Sequence, residues 1–335
     1  MPSLLGGLRL SLLAPSLTEV SFAGRGFPVR PSAVTEQLEA IPSAVVCGFE
    51  WAIAGAGIDE LHNRLHLMDP EQRGFGYEGA AMACTVLDSF GGDRTRRLLS
   101  GPGAGHLLLG YIGVGFALAR LPRPVWRRAL PDLTGARYHP SMSWLAVDGY
   151  GFDLAYFDTE RWVNQQQVPR SWPWQGCPQY FPRAVDQGIG RALWFIHGAD
   201  VAGVRAAVGR FADSRQADLW SGVGLAATFA LGAGPEQLAE LAENAGQNRP
   251  DLALGSVFAV KGRSDAGHLP DGTEAAATAL TGRPLGQLLD LVDRTEPNST
   301  LAPASTAEPP YELWRRRIRH ELAAPAAERR PTLTS

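Results

Sequence analysis

Apolar positions recur at helical spacing along much of the chain. Ile58, Leu61, Leu65 and Met68 form one stripe, and Val201, Val204, Val208 and Phe211 form another. The same periodicity predicts helices over 58–68, 77–90, 105–120, 200–212, 219–231, 235–245, 251–264, 272–281 and 284–294. End signals agree with it: Asp200 can cap the helix it opens, Pro235 suits a first turn and Gly246 follows a last one. Alternating runs are scarce, and 43–54 and 143–157 read as short strands. The expected fold class is therefore mainly α with a few short strands. Small residues cluster at 79–83 and 222–227, and Gly110, Gly113 and Gly115 interrupt an apolar run. Glycine there costs helix stability unless neighbouring backbones come close or a cavity needs the room.

A shift of 143 positions lays residues 51–86 on 194–229 without a gap. Trp51 meets Trp194, Ile53 meets Ile196, Gly55-Ala56 meets Gly198-Ala199, and Gly79 meets Gly222. The two apolar stripes fall in register, which predicts an internal duplication with pseudo-twofold symmetry. The first helical repeat then occupies 1–135 and the second 136–285. Gly24-x-Gly26-Phe27 matches Gly149-x-Gly151-Phe152 at a smaller offset, which places an insertion at 158–175. Residues 286–310 read as a helix end and flexible linker, and 311–335 as a basic helix with a disordered tail. That helix suits a partner, an anionic surface or its own domain equally well.

Composition narrows the function classes. A net charge of -3 gives no electrostatic footprint for nucleic acid. Cys47, Cys84 and Cys177 are dispersed, which fits a reducing compartment better than a disulfide framework. The N-terminus lacks a basic region ahead of its apolar residues, and the run Leu107–Ala119 is too short to span a bilayer. The expected location is cytoplasmic, with any membrane association made through a partner.

No nucleophile elbow, phosphate loop, metalloprotease or kinase signature is present. GPGAG at 101–105 reads as a turn, and the pair His62 and His66 flanks an apolar stripe rather than forming a metal site, so neither metal nor cofactor is expected. The comparison of the two copies is more informative. Glu78 stands opposite Ser221, Arg191 opposite Gly48, His197 opposite Ala54, Asp218 opposite Phe75 and Lys261 opposite Phe116. Polar residues found in one copy only are not demanded by a shared scaffold. In an apolar helix they must be paired, for instance Glu78 with Arg191, or must form a polar site between the halves. The insertion carries Trp162, Trp172 and Trp174 with Pro169 and Pro173, suited to a lid over an apolar pocket or to a clamp.

The phrases YEGAAMA (77–83), GYIGVGFALARLP (110–122), WLAVDGYGF (144–152), FPRAVDQGIGRALWFIHG (181–198) and ADLWSGVGLA (217–226) resemble those of the UnbL-type family of unknown function from enediyne antibiotic gene clusters. So does the opening MPSLLGGLR. The resemblance covers roughly 1–285 and none of 297–335. It implies a role in turning a linear polyene into the enediyne core, beside a UnbU-type membrane protein and a UnbV-type protein, and names no catalytic residues. The candidates chosen for acid, base and cation chemistry are Glu78, Asp148, Asp186 and Arg191. Tyr150, Trp162, Trp172, Trp174, Trp220 and Lys261 are the candidates for contact with the substrate. One expectation is a cofactor-free step, such as isomerisation or cyclisation, on an apolar polyene-type molecule. The other is a non-catalytic protein that sequesters the polyene or scaffolds the UnbU-type and UnbV-type partners.

Overall fold

The computed structural model describes residues 4–297 and 308–323. The described residues form α1 (Leu4–Leu13), α2 (Leu17–Val20), α3 (Phe22–Arg25), α4 (Ala33–Ile53), α5 (Ile58–His66) and α6 (Pro70–Asp88). These are followed by α7 (Arg94–Leu99), α8 (Leu107–Arg120), α9 (Trp126–Ala129), α10 (Trp144–Phe157), α11 (Phe181–Ile196) and α12 (Val201–Gly209). The chain ends in α13 (Asp213–Phe229), α14 (Pro235–Asn244), α15 (Arg249–Asp265), α16 (Thr273–Thr281), α17 (Leu285–Thr295) and α18 (Pro310–Ala323). No strand occurs among them. The two segments read as strands are helical: 43–54 falls almost wholly in α4 and 143–157 in α10. The physical reason is burial on several sides. In α10, residues Trp144 to Gly151 are all buried, so no polar face marks the helical period.

Seven long helices pack in chain order: α4 on α6, α6 on α8, α8 on α10, α10 on α11, α11 on α13 and α13 on α15. Glycine sets every one of these contacts. A Cβ added at Gly151 would fall inside contact distance of the Val185 carbonyl on α11, and one at Gly188 would strike the Asp148 carbonyl on α10. Each glycine thus rests on the carbonyl three residues before its partner glycine. The same reciprocal arrangement joins Gly48 with Gly79, Gly115 with Gly149, Gly190 with Gly222, and Gly224 with Gly255. On the α6–α8 joint Gly113 meets the Glu78 carbonyl, and Ala81 occupies the reciprocal place. Within a helix, residues two apart point about 200° apart. The motifs Gly113-x-Gly115, Gly149-x-Gly151, Gly188-x-Gly190 and Gly222-x-Gly224 therefore offer one glycine to the preceding helix and one to the next. Small residues at such crossings let two backbones approach more closely than side chains permit.

The row of helices curls until its early and late members meet. Phe75 of α6 packs edge-on against Phe229 of α13, with ring centroids 5.6 Å apart. Arg263 of α15 donates to the Glu71 carbonyl of α6 at 3.0 Å. Shorter amphipathic helices flank the row: α5 packs on α4 and α6, α12 on α11 and α13, and α16 on α13 and α15. The basic C-terminal helix lies on its own domain. Trp314 of α18 is fully buried and donates to the Val292 carbonyl, while Arg315 reaches Asp218, Ser221 and Glu312. Part of the sequence-predicted linker (298–307) and the tail (324–335) lie outside the described residues.

Candidate functional site

The concave side of the curl holds a pocket of about 70 Å³, partly open to solvent and lined by α4, α6, α8, α10 and α11. Its walls are mainly apolar: Ile41, Val45, Val46, Phe75, Met82, Phe116, Phe152 and Phe195. Two groups of charge break them. The deeper group is Glu78 of α6 and Arg191 of α11, with Asp148 of α10 behind the arginine. The other is Arg120 of α8 with Asp153 of α10, paired at 3.1 Å.

Arg191 is 6% exposed. Its Nε donates to Asp148 Oδ1 at 2.6 Å, and its guanidinium lies 4.8 Å from the Phe152 ring centroid. Among the described residues its Nη2 is buried without a hydrogen-bond partner, and no side-chain hydrogen bond reaches the Glu78 carboxyl. Burial pushes Glu78 up to about 8, raised further by the neighbouring Asp148 and opposed by Arg191. Burial also pushes Asp148 up, while Arg191 draws it back. The site thus combines a carboxyl that is mostly protonated near neutral pH with a cation that has an unused donor.

The glycine contacts hold these groups in place. Glu78 turns its carbonyl to Gly113 and Asp148 turns its carbonyl to Gly188, so both carboxyls project from helix crossings. Arg191 sits at the next crossing, where its backbone nitrogen meets Gly222. The α6–α8, α10–α11 and α11–α13 joints therefore fix the three charged side chains relative to one another.

The other sequence-predicted residues lie elsewhere. Asp186 points away from the cavity and forms a two-pronged pair with Arg215 at 2.6 and 2.9 Å; burial lifts it to about 6 against that pairing. Tyr150 packs edge-on against Trp126 with centroids 5.2 Å apart. Trp162 is buried in a π-helical turn under the Arg161 guanidinium. Trp172 and Trp174 line a separate cavity beside Tyr111, Val114 and Ala146 of α8 and α10, and Trp174 donates to Ser143 Oγ. Trp220 is buried in α13 and does not border the Glu78 cavity. Lys261 is ion-paired with Asp265 and Asp293, 3.2 Å from each. The tryptophan-rich insertion is thus no part of the wall around Glu78.

Sequence reasoning missed Arg120 and Asp153. Arg120 lies in a phrase that carries the resemblance and Asp153 just beyond one, but neither has a counterpart asymmetry to mark it. Sequence reasoning singled out Asp218 but not its partners Glu312, Arg183 and Arg315, which with it tie α18 to α11 and α13. Among the described residues no group of His, Cys, Asp and Glu could hold a metal ion, and no helix is long and apolar enough to cross a membrane.

Fold and site together define an all-helical protein whose helices wrap an apolar cavity containing a buried acid and a buried guanidinium. The chain belongs to the family of proteins of unknown function DUF1702, which matches residues 4–322. The match runs through α18, so the C-terminal helix is part of the family's shared sequence, beyond the 1–285 covered by the phrases quoted above. No curated protein and no solved structure matches the chain.

Proposed function

We propose that the cavity between α4, α6, α8, α10 and α11 takes up an elongated apolar molecule, and that Glu78 and Arg191 act on its polar or polarisable part. The observation that carries this reading is a buried carboxyl, Glu78, lining the same otherwise apolar wall as a guanidinium with an unsatisfied nitrogen. A protonated Glu78 can deliver a proton to a conjugated chain, and its conjugate base can remove one from a neighbouring carbon. Arg191, held by Asp148, can stabilise negative charge on an oxygen formed during that shift. The resemblance to the UnbL-type family supports naming the molecule as a polyene-derived intermediate on the route to the enediyne core. The chemistry these residues offer is isomerisation or cyclisation by proton transfer.

The two-copy organisation supports placing the site where the halves face each other. Shifted by 143, α5 (58–66) falls on α12 (201–209), and the first residue of α6 falls on that of α13. The end of α4 at Ile53 falls on the end of α11 at Ile196. On this reading the scaffold is a duplicated helical unit, with Glu78 in the first copy and Arg191 in the second.

The test is Glu78→Gln in cells that make the polyene. The variant should fold with an unchanged helical spectrum and retain the polyene, and the downstream product should disappear. A folded Glu78→Gln that still gives full product removes Glu78 from the chemistry. Polyene bound by both proteins with product formation unaffected would favour the sequestering role.

A further inference from the structure

A second cleft, separate from the Glu78 cavity, lies where the two ends of the helical row meet. It is bordered by the start of α6, the turn before α8, and the end of α15. Arg73, His106, Arg263 and His268 converge on it, and no carboxylate lines it. Seven buried side-chain polar atoms lack a hydrogen-bond partner among the described residues, and four belong to these residues: Arg73 Nε, His106 Nδ1, Arg263 Nε and His268 Nε2. Such atoms are rare in folded proteins because each forfeits its hydration, and the two arginine Nε atoms among them can only donate, so the cleft is short of an acceptor.

The guanidinium of Arg263 cannot turn away to find another partner. The residue is 6% exposed; one terminal nitrogen donates to the Glu71 carbonyl at 3.0 Å and the other to the Phe229 carbonyl at 2.6 Å. Its Cζ lies 4.1 Å from the Phe229 ring centroid, and Nε is the one guanidinium nitrogen without a hydrogen-bond partner. Arg73 is anchored in the same way, through the carbonyls of His66 and Met68, at 3.2 and 3.4 Å. Neither arginine forms a salt bridge among the described residues. Gly74 keeps the space open: a Cβ there would come within 2.8 Å of Leu109 and 3.6 Å of His106 Nδ1.

We propose that this cleft is an oxyanion-binding site, which takes a phosphate or carboxylate group on Arg73, Arg263 and His268. The electrostatics agree. Burial first, then the charge of Arg73, holds His106 down to about 4, and burial holds Arg263 down to about 10. At Arg263 the cause is burial, opposed by the charge of Glu71; at His106 the charges of Arg73 and Arg263 add to burial, a positive potential that favours an oxyanion. The phenyl pair Phe75–Phe229 stands between the two cavities, with Phe75 on the wall of the first and Phe229 on the wall of the second. This site therefore does not depend on what Glu78 does.

The test measures the unfolding temperature of the full chain in rising inorganic phosphate, and separately in rising acetate, against sodium chloride at matched ionic strength. A ligand that binds only the folded state raises stability in proportion to the logarithm of its concentration above saturation. The expected result is a concentration-dependent rise with at least one of the two anions beyond the chloride control. The anion acting at lower concentration identifies the phosphate or the carboxylate class. Arg73→Gln and His268→Gln should fold with near wild-type unfolding temperatures in chloride and lose most of that rise. No rise above chloride in the wild type overturns the proposal, since the orphan atoms would then be served by water. A rise that survives both substitutions equally overturns it, because the anion would be binding elsewhere.

Discussion

At the scale of single residues, the buried carboxyls set how stability responds to pH. Glu78 has a folded value near 8, against an ordinary value of 4.5. A carboxyl raised on folding contributes stability that is present below its unfolded value and lost as pH climbs through the folded one. Between about pH 5 and 8 the wild type should therefore lose stability to Glu78. Glu78→Gln should flatten that part of the curve and be the more stable protein at pH 8, as chemical denaturation at several pH values will show. Glu312 behaves oppositely. Burial alone would raise it, but Arg315, Arg183 and Arg319 together hold it down to about 2. Its contribution is present above its ordinary value of 4.5 and is lost as pH falls towards 2, so Glu312→Gln should reduce the loss of stability on acidification. The Arg191–Asp148 pair differs from both. Asp148→Asn leaves a buried guanidinium without its counter-ion and should cost about 3–5 kcal/mol; a cost under about 1 kcal/mol would show that water already reaches the pair.

At the scale of elements, the glycines explain which helices announced themselves. Helices α5, α12, α14 and α17 cover the outside, have one apolar face each, and were legible from spacing alone. The row helices α4 and α10 carry apolar residues on several sides, so their period is blurred and part of each was read as a strand; α11, buried along nearly its whole length, was not predicted at all. The Gly-x-Gly motifs were visible in the sequence, but their meaning needs two helices at once: each glycine answers a carbonyl that lies about 30 to 40 residues away. Gly151→Ala puts a methyl group into the Val185 carbonyl, whereas Gly209→Ala meets open space on a flanking helix. The first should lower stability by roughly 2–3 kcal/mol or more through forced separation of α10 and α11. The second should raise it by about 0.5–1 kcal/mol through helix propensity. Equal effects in thermal unfolding would mean that the α10–α11 joint tolerates spreading. The C-terminal helix makes the same point about context. Its run of arginines reads as a surface-binding feature in isolation, yet Arg315 is spent on Asp218 and Glu312 inside the protein.

At the scale of the whole molecule, the candidate site was partly legible because it brings residues from distant segments to one cavity. Glu78 and Arg191 stood out in the sequence because a shift of 143 positions sets them against Ser221 and Gly48. Asp148 was chosen for its place in a matching phrase, and the structure shows it holding Arg191. The tryptophans of the insertion were predicted on the sound premise that indoles need an apolar surface to cover. The surface that Trp172 and Trp174 cover lies in another cavity, a matter of three-dimensional closure that spacing does not encode.

The proposed role of Glu78 requires that an apolar ligand occupy the cavity beside it. Val46 is buried on its wall, and Val46→Trp would fill the space. The decisive measurement is native mass spectrometry of wild type and Val46→Trp purified side by side from cells producing the linear polyene, both checked for fold by thermal unfolding. The wild type should carry a polyene-derived mass that the folded variant lacks. Equal ligand on both proteins, or none on the wild type, would contradict the assignment of that cavity.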